Sequence, residues 1–399
     1  MGEIMSDKKI IYMDSAATTF VAPEVLEAMT PYFKGKFGNA SALYDFAKES
    51  KDALEESRKT IAATLSCDPS EIYFTSCGTE SDNWALKSIV KAYKSKGNHI
   101  ITSKIEHHAI LESCKALEKE GIEVTYLDVD ENGTVKLEEL KKAIKPTTVL
   151  ISIMYANNEI GTIQPISEIS KIAKEKKILF HTDAVQAYAH IPINPEKDGF
   201  DMMSVSGHKF NAPKGVGFLY CKKGINLIPL LDGGAQERNR RAGTENIPYI
   251  VGMATAAKIA HEKMEERAKS QKQIRDHLIE RIINEIPFTK LNGHRENRLP
   301  NNVNVSIRVI EGESLLLSLN EYGICASTGS ACASGSLDPS HVLLAIGLPH
   351  EIAHGSLRLS IDHTVTKADA DYVVDNLKNI VENLRSMSPL YEDFKKQNS

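Results

Sequence analysis

Seven short apolar runs alternate with amphipathic stretches through the middle of the chain, and nothing else in the sequence restricts the fold so strongly. Ile72 to Ser76, His99 to Ser103, Val124 to Val129, Val149 to Tyr155, Ile178 to Asp183, Met202 to Ser206 and Gly217 to Cys221 read as strands. Helical periodicity fills the gaps around Ser81 to Tyr93, at His108 to Lys119 and at Ile166 to Lys174. Strands that are apolar on both sides must be covered on both sides. That requirement predicts an α/β fold whose large sheet is mostly parallel. Ile247 to Ile283 then gives one long helical pattern that allows a kink. Two further strands, Asn302 to Val309 and Ser356 to Ile361, with helices at Glu313 to Tyr322 and Lys367 to Leu384, describe a smaller α+β unit. With 399 residues the chain is long enough for two cores. The expected division is a large domain over residues 15–260 and a small one combining residues 1–14 with 261–399.

In open α/β sheets a ligand lies beyond the carboxyl ends of the strands, so the polar residues there should converge. They are Thr75 to Thr79, Glu106-His107-His108, Asn157-Asn158-Glu159, Asp183 with Gln186, and Ser206 with His208-Lys209. Lys209 stands among small and hydroxyl residues, and Asp183 ends an earlier apolar strand. A surface lysine and a strand-end aspartate would explain either one alone. Together they match what pyridoxal phosphate requires: a lysine for its Schiff base, an acid against its pyridinium nitrogen and donors around its phosphate. The Gly78-Thr79 turn opens a helix, whose free N–H groups and dipole favour a phosphate. His107 suits stacking on the ring or moving protons. A metal pair at His107-His108 is disfavoured, because adjacent helical residues do not share a face.

Composition narrows the remaining classes. Hydrophobic residues make up 42%, charged residues 25%, and the net charge is −5. This balance offers no electrostatic case for nucleic acid. No apolar run approaches the roughly 20 residues that a membrane helix needs, and Met1 to Ser6 lacks the apolar core of a secretion signal. The six cysteines, Cys67, Cys77, Cys114, Cys221, Cys325 and Cys332, contain no CxxC pair. Neither a disulfide framework nor a cysteine-held metal is indicated, and the reading is a reducing cytoplasm.

The motifs, taken in order, resemble those of the cysteine desulfurases of the nitrogen-fixation and housekeeping iron–sulfur branch. They are Asp14 to Thr19, Phe74 to Asn83, Glu106 to Ala109, Asn157 to Gly161, His181 to Gln186 and Ser206 to Lys209. Gly233 to Arg238, Arg241 to Asn246, Arg298 to Asn301 and Gly329 to Ser336 follow. The resemblance spans nearly the whole chain. It implies a fold-type I pyridoxal phosphate enzyme, a homodimer, acting on L-cysteine. It further implies that Lys209 forms the Schiff base, Asp183 faces the pyridine nitrogen and His107 stacks. Gln186 and Asn158 would lie near the phenolic oxygen and the substrate. Thr79, Ser206 and His208 would hold the phosphate, Thr244 would reach the phosphate of the partner subunit, and Arg358 would grip the substrate carboxylate with its planar fork. One departure is Asn39-Ala40-Ser41-Ala42-Leu43-Tyr44, where the family often has a proline after the asparagine and a histidine at the end.

Cys332 sits in a stretch of Ser, Thr, Ala and Gly, residues 327–336, that has little to bury and is expected to move. A thiol there suits sulfur transfer, because a second nucleophile eases the expulsion of sulfur from cysteine. Cys325 lies in a more apolar context. The sulfur acceptor implied by the resemblance is a U-type iron–sulfur scaffold or a similar protein, met through the segment at Ser388 to Phe394. Two other readings stay open. One is a selenocysteine lyase or another pyridoxal phosphate enzyme. The other is a non-catalytic interaction protein on the same fold, against which the joint presence of Lys209, Asp183, Cys332 and Arg358 argues.

Overall fold

The computed structural model describes residues 9–328 and 339–398. Its main feature is a seven-stranded sheet of β1 (Ile72–Thr75), β2 (His99–Ser103), β3 (Glu123–Leu127), β4 (Thr148–Ser152), β5 (Leu179–Asp183), β6 (Met202–Ser206) and β7 (Gly217–Cys221). The spatial order is β1-β7-β6-β5-β4-β2-β3. Only β7 runs against its neighbours β1 and β6, so the other six point the same way. Successive side chains alternate between two cores. Ile101, Ile151, Met203 and Phe218 enter one, while Ile100, Leu150, Met202 and Leu219 enter the other. This two-sided burial is why the strands read as continuous apolar runs.

Helices cover both faces. The first two are α1 (Pro23–Lys34) and α2 (Lys48–Leu65), which the apolar pattern does not announce. The buried positions of α2 include Ser50, Ser57 and Arg58. Arg58 forms a two-point ion pair with buried Glu237, with bonds of 2.8 and 2.7 Å, so part of the helix's inner face is polar. Next come α3 (Gly78–Ala92), α4 (His108–Lys119), α5 (Leu137–Ala143) and α6 (Ile166–Glu175). The long helical pattern divides into α7 (Ile247–Glu262) and α8 (Met264–Glu285), with Lys263 out of helical geometry between them.

A third core joins Ile11 and Met13 to Leu278, Ile282, Val303, Val305, Leu357, Leu359, Val374 and Leu377. It packs under an antiparallel sheet of β8 (Thr289–Leu291), β9 (Asn302–Ile307) and β10 (Ser356–Ser360), with α9 (Gly312–Glu321) and α10 (Lys367–Ser386) against it. The N-terminal segment reaches this unit by pairing Ile11 and Tyr12 with Ile324 and Cys325. Among the described residues, no helix is long and apolar enough to cross a membrane.

Candidate active site

The carboxyl ends of β1, β2, β4, β5 and β6 surround a cavity of about 270 Å³. Its lining includes Gly78, Thr79, His107, Asn158, Asp183, Gln186, Ser206, His208 and Lys209, all expected from the sequence. It also includes Ala16, Ala17, Cys77, Asp82 and Met154. Lys209 arrives on a single 3₁₀ turn, Gly207–Lys209, directly after β6. Its ammonium donates to the carbonyls of Ala16 (2.6 Å) and Ala17 (2.8 Å). Gln186 donates its amide to the same Ala16 carbonyl at 3.0 Å. The Asp14 to Thr19 motif thus supplies a backbone floor, a role invisible to any reading of side-chain chemistry.

Asp183 ends β5, buried, with Oδ1 accepting from the Val185 N–H at 2.9 Å. Burial pushes its carboxyl up to about 6, against the pull of that N–H and of the Lys209 charge. A cation placed against it would hold it in its ionised form. His107 is the N-cap of α4 and its Nδ1 accepts from the Ala109 N–H at 3.1 Å. Burial, then the charge of Lys209, holds the ring down at about 4. The imidazole is therefore neutral near pH 7, and with Nδ1 accepting, the proton resides on Nε2. The free nitrogen is a donor. His108 does not line the cavity; its ring meets that of His341 at a tilt of 52°, with centroids 4.9 Å apart.

The first turn of α3 faces the cavity from Gly78. Its leading N–H groups have no carbonyl within the helix, which makes this end suited to an anion. A methyl group at Gly78 would come within 2.7 Å of Val185 Cγ2 and 3.3 Å of Ser206 Cβ, so glycine lets the helix approach β5 and β6. His208 contributes Nδ1 to a 3.1 Å bond with the Thr18 hydroxyl. The helix end, the lysine amine and the buried acid lie around one cavity whose volume suits a single substituted ring. The donor set fits pyridoxal phosphate.

Three expected residues lie elsewhere. Thr244 lines a separate cleft with Thr75, Ser76 and Arg241. Arg358 is buried on β10. It donates Nη2 to Asp14 Oδ1 at 2.9 Å and Nη1 to the Asn158 carbonyl at 3.3 Å. Its Nε has no hydrogen-bond partner among the described residues. Cys332 lies outside the described residues. The chain on either side is anchored to the site: Ser327 exchanges backbone bonds of 2.7 and 3.2 Å with Arg358, Ser340 bonds Glu159, and His341 Nε2 donates to the Glu106 carbonyl at 2.9 Å. Of the other thiols, burial pushes those of Cys67, Cys114 and Cys221 up to about 12 and raises that of Cys325. Cys77 is half-buried and lines the cavity wall.

The class-V aminotransferase family profile matches residues 11–373. A protein named cysteine desulfurase IscS from Methanosarcina thermophila is 57% identical over 387 residues, covering 97% of this chain and 96% of its own. A solved structure described as a NifS-like protein superposes with a TM-score of 0.89 at 41% identity, covering 94% of this chain and all of that one. A second, described as SspA in complex with cysteine, gives a TM-score of 0.78 at 38% identity, with 88% of this chain and 98% of that one covered.

Proposed function

The chain belongs to the class-V aminotransferase family, among its cysteine desulfurases, and is a pyridoxal phosphate enzyme; from that premise we propose how its cavity takes the sulfur from L-cysteine and leaves L-alanine. The observation that carries this reading is the meeting of Lys209, buried Asp183 and the N-terminus of α3 around one cavity. When bound, pyridoxal phosphate supplies an electron sink for bonds at the substrate's α-carbon.

Each residue then has a task. Lys209 tethers the cofactor through its amine and returns a proton to the product. Asp183 holds negative charge toward the ring nitrogen. Thr79, Ser206 and His208, with the N–H groups at Gly78, hold the phosphate, and Gln186 and Asn158 orient the groups between phosphate and substrate. His107 stacks on the ring, and its Nε2–H donates toward the reacting sulfur rather than accepting a proton. Arg358, whose Nε has no hydrogen-bond partner among the described residues, receives the substrate carboxylate. Cys332 accepts the sulfur as a persulfide: its thiolate forms an S–S bond as the substrate's C–S bond breaks, and the electron pair passes to the carbon that becomes alanine's methyl group.

The protein then acts in iron–sulfur cluster assembly, and the acceptor of the persulfide is a U-type scaffold or a similar protein. The working assembly is a cytoplasmic homodimer. Thr244, which faces a cleft apart from the Lys209 cavity, serves the phosphate of the partner subunit. We assign residues 15–260 to the large domain and the rest to the small one.

Substituting Lys209→Ala tests the reading. The wild-type protein should be yellow and release alanine and sulfide from cysteine, and the variant should release neither. A variant that turned over at the normal rate would remove the proposal.

A further inference from the structure

Beneath Asp183 lies a second carboxyl that the mechanism above does not use. Asp82 stands on the first turns of α3, is 1% exposed and lines the cavity. Its Oδ1 has no hydrogen-bond partner among the described residues. Across the α3–sheet interface is His181, two positions before Asp183 and so on the same face of β5. His181 Nε2 lies 3.8 Å from Asp82 Oδ1, beyond a hydrogen bond. Both ring nitrogens are occupied otherwise: Nδ1 meets the Ser152 hydroxyl at 2.9 Å and Nε2 the Ser204 hydroxyl at 2.9 Å. A buried carboxylate in such a place would carry an uncompensated charge beside another, which is costly. A buried carboxylic acid would not.

We propose that Asp82 is a positioning residue that keeps its proton beside Asp183, so that Asp183 stays the sole anion of the pair, aimed at the ring nitrogen. The proposal rests on the reading that Asp183 faces that nitrogen. The groups facing Asp82 agree with it. From β5 come Asp183, an anion, and His181, which burial holds neutral, its ring down at about 3. From β6 comes Ser204, whose hydroxyl favours the charged form but is shared with His181. Glu106, on the turn after β2, and Cys77, the N-cap of the same helix, add to this direction only when they are themselves ionised. Lys209 exerts its pull on Asp183. Burial is the largest influence on Asp82 and Asp183 is the next; both raise it well above the usual carboxylate range. The cavity thereby holds one fixed negative charge where two carboxyls stand.

Infrared spectroscopy of the holoenzyme tests this directly. Protein grown on ¹³C-carboxyl-labelled aspartate shifts aspartate bands only, which separates Asp82 from the buried glutamates Glu106 and Glu159. The expected result near pH 7 is a protonated-carboxyl band that moves with the label, is missing from Asp82→Asn, and vanishes on alkaline titration of the wild type. The cofactor absorbance should show a matching alkaline change that Asp82→Asn lacks. A wild-type spectrum with no labelled protonated band would overturn the proposal without any variant having to fold. So would a band that persists in Asp82→Asn. In Asp183→Asn, the loss of the neighbouring anion should move the Asp82 band's disappearance to lower pH. If Asp183→Asn instead bound the cofactor with an unchanged spectrum, the ring-nitrogen reading would fail while the Asp82 proton remained measured.

Discussion

Arg358 is already engaged before any substrate arrives, and its remaining capacity is directional. One arm of the fork holds Asp14 and the other the Asn158 carbonyl, which leaves Nε as a buried donor with no hydrogen-bond partner among the described residues. Lysine at this position keeps the charge but cannot serve Asp14 and a substrate carboxylate together. Arg358→Lys should therefore raise KM for cysteine by about tenfold or more, since charged hydrogen bonds are each worth roughly 1.5–3 kcal/mol. Cofactor content, read from the visible absorbance, should stay near normal. A colourless variant would instead assign Arg358 to the cofactor site or to folding. The sequence alone could not supply Asp14, because the two residues stand 344 positions apart and each has an ordinary local context. Lys209 and Asp183 were legible for the opposite reason: each sits at or just past the end of an apolar strand, where the fold leaves polar groups lining the cavity.

At the scale of elements, the turn between β2 and α4 carries both the cap His107 and the buried Glu106. Glu106 accepts from the Ser103 hydroxyl at 2.6 Å and, through both oxygens, from the Met154 N–H at 3.0 Å. Burial outweighs these bonds and pushes its carboxyl from 4.5 up to about 8. The folded protein thus binds a proton there that the unfolded chain has released. Stability should fall as pH rises from about 4.5 to about 8, with a slope from this group of at most ~1.4 kcal/mol per pH unit, and level off above. Glu106→Gln should flatten that part of the profile, as measured by denaturant unfolding of the apoprotein across this range. An unchanged slope would show that Glu106 is ionised in the fold. The strands were readable to within a few residues, since burial on both faces leaves little room for polar breaks. The Gly78-Thr79 turn was read as opening a helix, and α3 starts at Gly78, although its first turn is polar and faces the cavity. Polar burial on the inner face of α2 hid that helix from the apolar pattern.

Across the whole molecule the site depends on pieces far apart in the chain. Ala16 and Ala17 of the Asp14 to Thr19 segment form the floor and the large sheet supplies Lys209 and Asp183, while Arg358, on β10 of the smaller sheet, connects to the cavity through its bonds to Asp14 and the Asn158 carbonyl. The alternation of strands and helices made the large sheet legible. The pairing of Ile11–Tyr12 with Ile324–Cys325 was not, since a two-residue strand leaves almost no pattern. Ser327 on one side and Ser340 on the other place the ends of the segment that carries Cys332 against Arg358 and Glu159. This arrangement motivates the central claim, that sulfur leaves the substrate for Cys332. Cys77 is its sharpest rival, because that thiol lies on the cavity wall. Mass spectrometry of enzyme trapped after brief exposure to L-cysteine decides between them. The account expects one added sulfur on Cys332, formed in step with alanine and absent from Cys332→Ser; an added sulfur on Cys77 or Cys325, with Cys332 unmodified, would contradict it.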